Sequence, residues 1–192
     1  ILMLFNDDLV IKTVGWDTKI VQFVSSVTDN IFLAYPNDME NSKVSAFPII
    51  SRKTYEILKD PYPIEYDHLY IDTHLFEIFQ RLEYLGYKRH QRLADIVFDH
   101  RHFIDGKIRT DATYAHKNRY KDFLTFIRLR KFRQNAALRL FSVIEGERKP
   151  EYKKEICNDV EPKNLFSVFV VYGPIFLLDK GLPISKRIVE IF

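Results

Sequence analysis

The sequence predicts an α/β domain over residues 1–111, followed by a helical basic extension. Two observations support the α/β class: short apolar runs alternate with segments of helical periodicity, and polar side chains follow several of these runs. A third observation supports the extension, because residues 117–139 contain eight Lys and Arg residues against one Asp. A hydrophobic content of 46% is sufficient for a packed core, so a wholly disordered chain is not expected.

Four segments have the apolar, β-branched or aromatic composition of β-strands. They are residues 1–5, 31–35, 46–50 and 95–100. Pro36-Asn37-Asp38 is predicted to end the second strand. Pro61 and Pro63 are predicted to keep the following chain extended as far as Tyr70, because the residue before a proline is disfavoured in the helical region.

Three helices are predicted to alternate with these strands, over residues 17–26, 52–58 and 72–85. The first follows a turn at Gly15, and Ser51 is the predicted N-cap of the second. Along the third, apolar side chains recur at three- and four-residue spacing, at Leu75, Ile78, Phe79, Leu82 and Leu85. Gly86 is the predicted C-cap of this helix, since glycine adopts the left-handed conformation without strain.

The rest of the chain is predicted to form a helical basic extension over residues 112–148, a linker over 149–164 and the start of a strand–helix unit over 165–192. Because the chain opens with Ile inside an apolar run, we expect it to be a fragment of a longer protein. The single cysteine, Cys157, excludes an internal disulfide and agrees with a reducing compartment. No apolar run approaches the ~18 residues that span a bilayer, so the predicted location is cytoplasmic, with peripheral membrane contact left open.

Polar residues at the ends of the predicted elements are the candidate functional groups. They are Asn6, Asp7, Asp8, Asp38, Asp67, Asp72, Asp99, His100 and His102. Two adjacent aspartates cannot both be buried without compensation, so Asp7 and Asp8 either face solvent or hold a cation. Asp72 begins the third helix, where a carboxylate is either an ordinary N-cap or a general base.

Two histidines, His100 and His102, stand two residues apart on a predicted strand, so their side chains would share one face. Such a pair either chelates a metal ion or ends a solvated strand. The other histidines show no pairing and are expected at the surface: His68, His74, His90 and His116. The chain has no Gly-rich phosphate loop, nucleophile elbow, HExxH motif or cysteine pair, so functions that depend on these motifs are not indicated.

The basic stretch 117–139 interleaves cations with aromatic residues, at Tyr120, Phe123, Phe126 and Phe132. This mixture could hold phosphates and stack bases, or bind an anionic membrane surface. The alternative is a solvated helix whose aromatic side chains pack on the core. The basic residues fall on all sides of a helical wheel, so the pattern alone does not decide between these interpretations.

In their order along the chain, these motifs resemble the C-terminal part of a GT-A glycosyltransferase domain, closest to the family-2-like bacterial sugar transferases. Residues 1–8 look like the strand with the DxD motif of that family, and Gly15-Trp16-Asp17 resembles the GWD that often follows it. Three later segments resemble the lining of the donor and acceptor cleft, the xED region that opens a helix, and the late histidine segment: residues 45–52, 70–75 and 97–102. The resemblance covers roughly residues 1–111.

The resemblance implies an enzyme that transfers a sugar from a nucleotide-diphosphate sugar donor to the hydroxyl of a saccharide or lipid-linked acceptor, with Mn²⁺ or Mg²⁺ as cofactor. It implies Asp8 as the principal metal ligand, with Asn6 and Asp7 beside it at the donor diphosphate. His100, or less favoured His102, would complete the metal site or contact the diphosphate. Asp72 would be the base that deprotonates the acceptor for inverting displacement. The cation would offset charge on the leaving diphosphate.

Two positions depart from the family pattern: Asn6 stands where the first Asp of the motif is usual, and Ile71 where a Glu usually precedes the catalytic Asp. Both departures support a rival interpretation, a catalytically inactive GT-A-like binding module. A second rival is a binder of anionic surfaces or nucleic acid through residues 117–139, with nucleic acid the less favoured partner. In the family, the nucleotide-binding units precede the DxD strand, so the isolated 192-residue chain is expected to have little or no activity.

Overall fold

The computed structural model describes residues 1–5, 9–39, 46–101, 119–146 and 149–151, all within one compact unit. Five strands lie in these ranges: β1 (Leu2–Met3), β2 (Leu9–Ile11), β3 (Leu33–Asn37), β4 (Ile49–Ile50) and β5 (His90–His100). Five helices accompany them: α1 (Trp16–Ser26), α2 (Arg52–Leu58), α3 (Ile71–Tyr84), α4 (Arg119–Arg128) and α5 (Arg130–Glu145). The predicted α/β class is confirmed.

The strands form one mixed sheet in the order β1-β4-β3-β5-β2. The central pair, β3 and β5, is parallel, whereas the β1–β4, β4–β3 and β5–β2 pairs are antiparallel. A parallel pair needs a crossover connection, which here includes β4, α2 and α3. Because β3 and β5 run in the same direction, both strands end at the same edge of the sheet.

Both faces of the sheet are buried, each in its own apolar core. Leu33, Tyr35 and Ile50 point to a core that α2, α3 and α5 complete. Ala34 and Ile49 point to the other core, which α1 covers. Successive strand residues face opposite sides of a sheet, so a strand buried on both sides reads as a continuous apolar run. This is why residues 31–35 and 46–50 show no alternation of polar and apolar side chains.

β3 extends two residues beyond Tyr35, the last residue of the predicted strand, and ends at Asn37, within the segment predicted to end it. Pro36 therefore lies inside the strand. Proline cannot donate to a ladder and is tolerated at bulges. The register with β5 shifts between Pro36 and Asn37, which is the irregularity that accommodates the missing N–H. The last strand is also longer than predicted, since β5 begins at His90.

The three predicted helices are confirmed, with starts moved by at most one residue. The hydroxyl of Ser51 accepts a 2.8 Å hydrogen bond from the Thr54 N–H, as an N-cap does. At the end of α3, Gly86 has φ +104° and donates its N–H to the Glu83 carbonyl at 2.9 Å. Gly86 therefore ends the helix in the positive-φ conformation that favours glycine.

The segment between α2 and α3 corrects another prediction. Residues 61–70 form bends and turns and are not extended, with the Tyr66 N–H bonded to the Pro63 carbonyl at 3.3 Å. In the predicted extension, the described residues 119–145 form α4 and α5, which break at Leu129. The predicted strand at 165–172, the helix at 184–192 and most of the linker lie outside the described residues. In the described part of the chain, no helix combines the length and apolarity that a bilayer crossing requires.

Candidate functional site at the ends of the parallel strands

Asp72 lies in the first turn of α3, but it is not the N-cap. The N-cap position belongs to Tyr70, which has φ 67° and makes no side-chain cap. Asp72 follows as the second helical residue, and its Oδ1 accepts hydrogen bonds from the Thr73 N–H at 2.7 Å and the Thr73 hydroxyl at 3.3 Å. Burial raises the pKa of the Asp72 carboxyl despite these bonds. A raised pKa strengthens the ionised carboxylate as a proton acceptor.

A second carboxylate, Asp38, lies near Asp72. Asp38 follows β3 directly and is only 3% exposed. Its negative charge is a further cause of the raised pKa of Asp72. A neighbouring negative charge disfavours ionisation of Asp72, and acids with a perturbed pKa are characteristic of functional sites. We call Asp38 and Asp72 the strand-end pair.

The end of β5 supplies two more predicted residues, which face opposite sides. Asp99 is 3.4 Å from the Lys12 ammonium and 3.7 Å from the Arg101 guanidinium, so its charge is compensated. His100 is buried and packs edge-on against the Phe47 ring, with centroids 5.1 Å apart. The predicted partner of His100 on the same face, His102, lies outside the described residues.

The acidic triplet Asn6, Asp7 and Asp8 also lies outside the described residues, but its neighbours are described. Leu9 pairs with His100 at the start of β2, and Phe5 packs on Phe98 at 6.2 Å between ring centroids. The chain on both sides of the triplet thus reaches the edge where β3 and β5 end. Among the residues described, no group of three or more His, Cys, Asp or Glu side chains could hold a metal ion.

The expectation of surface histidines is wrong for two of the four. His74 is fully buried, and its Nδ1 is 2.8 Å from the Tyr66 hydroxyl. Burial, with the nearby positive charge of Arg133, lowers the pKa of His74 to about 3, so it stays neutral. His90 is partly buried, with its Nε2 2.7 Å from Glu83. His68 is exposed as expected, and His116 lies outside the described residues.

Sequence reasoning missed a set of buried polar residues between α3 and α5, which we call the ionic cluster. Its members are Tyr66, His74, Glu77, Arg81 and Arg133. Glu77 forms ion pairs with both Arg81 and Arg133, whose side chains are 4% and 2% exposed. Arg133 also bonds the Phe126 carbonyl at 2.6 Å. The i, i+4 spacing of Glu77 and Arg81 is visible in the sequence, whereas the contact with Arg133 is long-range.

Within the ionic cluster, Tyr66 and His74 share a hydrogen bond between two uncharged side chains. Burial raises the pKa of the Tyr66 phenol and lowers that of the His74 imidazole, so both side chains stay neutral near pH 7. The ion pairs of Glu77 with Arg81 and Arg133 complete the cluster.

Three aromatic residues of the basic stretch contact the domain itself. Phe123 and Phe126 pack on the Tyr70 ring, at centroid distances of 6.1 and 5.2 Å. Phe132 packs on His74 at 5.7 Å. Arg139 donates to the carbonyls of Ile57 and Leu58 at the end of α2, at 3.1 and 2.9 Å. These contacts favour the interpretation of a helix packed on the core over one that stacks bases.

None of three comparisons, with protein-family models, with curated proteins and with solved structures, finds a match to this chain.

Proposed function

We propose that this chain contains part of the catalytic site of a glycosyltransferase, with Asp72 as the base. The observation that carries the proposal is the strand-end pair: a partly buried aspartate in the first turn of a helix, with its pKa raised by burial and by Asp38. The pair lies beyond β3, and ligands of α/β sheets bind outside the carboxyl ends of the strands.

The proposed step is a displacement at the anomeric carbon of a nucleotide-diphosphate sugar. The acceptor hydroxyl oxygen forms a bond to that carbon, while the bond to the diphosphate oxygen breaks and its electron pair leaves with the nucleoside diphosphate. The hydroxyl proton passes to the Asp72 carboxylate. Hydrogen bonds from Thr73 hold one carboxylate oxygen, so the other can face the acceptor.

The proposal includes Mn²⁺ or Mg²⁺ held by Asp8 and His100. Leu9, the residue after Asp8, pairs with His100, so the chain next to Asp8 lies beside this histidine. Carboxylate oxygens suit Mn²⁺ and Mg²⁺, and a bound cation would neutralise charge on the leaving diphosphate. The donor nucleoside and the acceptor, saccharide or lipid-linked, are part of the same proposal.

The test is calorimetric binding of UDP and GDP, with and without Mn²⁺, to the chain and to a longer form that includes any upstream residues of its gene. Asp8→Ala should abolish the metal-dependent binding. Asp95→Asn is the matched control, since Asp95 is an exposed carboxylate paired with Lys19 away from the strand ends. Binding that is equal in Asp8→Ala and in the unaltered protein would refute the metal site. Binding without turnover of any UDP- or GDP-sugar would indicate the inactive binding module.

A further inference from the structure

The carboxylate of Asp122, on α4, binds the loop that precedes α3. Its oxygens accept hydrogen bonds from three consecutive backbone N–H groups: those of Asp67 at 2.7 Å, His68 at 2.9 Å and Leu69 at 2.8 Å. Asp122 is only 1% exposed. A buried carboxylate is costly unless it is well hydrogen-bonded, and charge-assisted bonds from backbone N–H groups are among the strong ones. This contact therefore fixes the loop backbone.

A second contact between α4 and the loop lies one residue further along. The ring of Tyr70 packs against Phe123 and Phe126 of α4. Tyr70 itself has φ 67°, a left-handed conformation that is unfavourable for a tyrosine. Such a conformation persists when its surroundings hold it in place. Here α4 supplies those surroundings, through Asp122 on one side of Tyr70 and the two phenylalanine rings.

The loop held in this way sets the start of α3. The Tyr70 carbonyl accepts the 2.7 Å hydrogen bond from the His74 N–H that closes the first helical turn. Asp72 is inside that turn, three residues after the last amide bound by Asp122. A shift of the loop would therefore move Asp72 relative to Asp38, which is attached to a different element, the end of β3.

We propose that Asp122 is a positioning residue for Asp72: by binding the amides of residues 67–69, it holds the first turn of α3 against the end of β3. In this proposal the basic extension positions a residue of the site. The inference rests on the proposed role of Asp72 as the base, but its structural content can be tested without any substrate.

The experiment uses the 192-residue chain labelled for NMR and the variant Asp122→Asn, with Lys121→Gln as matched control. Lys121 neighbours Asp122 and pairs with Asp67 of the same loop at 2.5 Å, but this pair is exposed. Two quantities are measured: hydrogen exchange of the amides of residues 67–69, and the titration of the Asp72 carboxyl, assigned with Asp72→Asn. Asn keeps the shape of Asp122 but removes its charge.

Asp122→Asn is expected to speed amide exchange at residues 67–69 about tenfold or more. It should also lower the pKa of Asp72 toward its ordinary value, because a displaced Asp72 is better solvated and further from Asp38. Lys121→Gln should change neither quantity. Unchanged exchange and titration in folded Asp122→Asn would overturn the proposal, as would equal changes in both variants.

If Asp122→Asn does not fold, Asp122→Glu takes its place. This variant retains a carboxylate on a side chain that is one methylene longer. The same changes in amide exchange and in the titration of Asp72 are expected, but smaller, and their absence would overturn the proposal. The outcome is separable from that of the proposed function. Asp122→Asn could change both amide exchange and the titration of Asp72 in a protein that shows no metal-dependent nucleotide binding. That result would support the positioning role of Asp122 and refute the proposed transferase function. In an active longer form, Asp122→Asn should lower kcat while the KM for the donor is unchanged.

Discussion

Helix α3 carries two polar regions whose environments contrast. On the side toward α5, His74, Glu77 and Arg81 enter the ionic cluster, where Glu77 meets two guanidinium groups. At its N-terminal end, Asp72 meets another carboxylate, and its pKa is raised. The first region joins opposite charges and the second brings like charges together. The first region therefore stabilises the helix, and under the proposed function the second region is the reactive one.

The contrast separates two uses of buried charge. Opposite charges in a buried cluster are costly to break, because a removed partner leaves an uncompensated ion behind. A like-charge pair costs stability in the folded state and is retained where its chemistry is needed. We expect substitutions in the ionic cluster to reduce stability, and substitutions in the strand-end pair to reduce activity without reducing stability.

The largest expected effect on stability is that of Glu77→Gln. This variant removes the one carboxylate that pairs with both Arg81 and Arg133, leaving two nearly buried guanidinium groups without it. The free energy of unfolding should fall by about 3–5 kcal/mol. Urea denaturation at pH 7 measures it. Glu83→Gln is the control, since the Glu83 side chain is 37% exposed and pairs with a histidine. Equal losses of unfolding free energy in the two variants would show that the ion pairs of the ionic cluster contribute no more to stability than an exposed pair does.

The opposite expectation applies to Asp72→Asn. Activity of the longer protein toward nucleotide sugars should fall about 100-fold or more, the usual range for a lost general base. Metal-dependent UDP or GDP binding should remain. A loss of binding equal to the loss of turnover would show that Asp72 contacts the donor and is not the base.

Stability should respond to Asp72→Asn in a pH-dependent way. A carboxyl whose folded-state pKa is raised contributes stability below its unfolded pKa, and this contribution is lost as pH rises through the folded pKa. The unaltered chain should therefore lose stability relative to Asp72→Asn as pH rises above about 3.8, the ordinary value for this group. Denaturation midpoints at pH 4 and pH 7 measure the difference. A variant less stable than the unaltered chain at pH 7 would contradict the like-charge interpretation.

Local features of this fold could be predicted from the sequence, whereas the assembly of its polar residues could not. Ser51 as N-cap and Gly86 as helix terminator depend on hydrogen bonds within four residues, which a short segment specifies. The pairing of Asp122 with residues 67–69 spans more than fifty positions and needs the tertiary fold. A signal was nevertheless present, since Asp122 is the one acid among eight basic residues.

The histidines show the same limit. His74 stands four residues before Ile78, at the border of the apolar face of α3, and its expected exposure rested only on the lack of a paired histidine. Packing of α5 on that side buries His74 instead, against Phe132 and beside Tyr66. Likewise, the coupling of Asp38 with Asp72 joins a strand end to a helix start that are far apart in sequence. Both were predicted as separate element ends; only the parallel arrangement of β3 and β5 and the packing of α3 bring them together.

The next effect in size concerns His74 and acid stability. Because its folded pKa is lowered to about 3 from 6.5, the unfolded chain binds a proton in this range that the folded chain does not. Stability should therefore fall as pH decreases from 6.5, by about 1.4 kcal/mol per unit at most. His74→Gln, whose amide oxygen can still accept from Tyr66, should remove this slope, whereas His68→Gln at an exposed site should retain it. Urea midpoints at pH 6.5 and pH 5 give the slopes, and equal slopes in both variants would contradict the burial of a neutral imidazole.

The smallest expected effect concerns two neighbouring residues of one helix, one with an exposed charge and one with a buried charge. Lys121 and Asp122 both bind the loop before α3, but the Lys121–Asp67 pair is exposed, with side chains 53% and 36% accessible. Exposed pairs contribute little, since water already solvates both charges and the long lysine side chain loses freedom when it is held. Lys121→Gln should lower the free energy of unfolding by less than about 1 kcal/mol, and Asp122→Asn by clearly more. Urea denaturation of both variants at pH 7, at low and at high salt, measures the difference in the free energy of unfolding. Equal losses would mean that proximity to the loop matters and burial of the carboxylate does not.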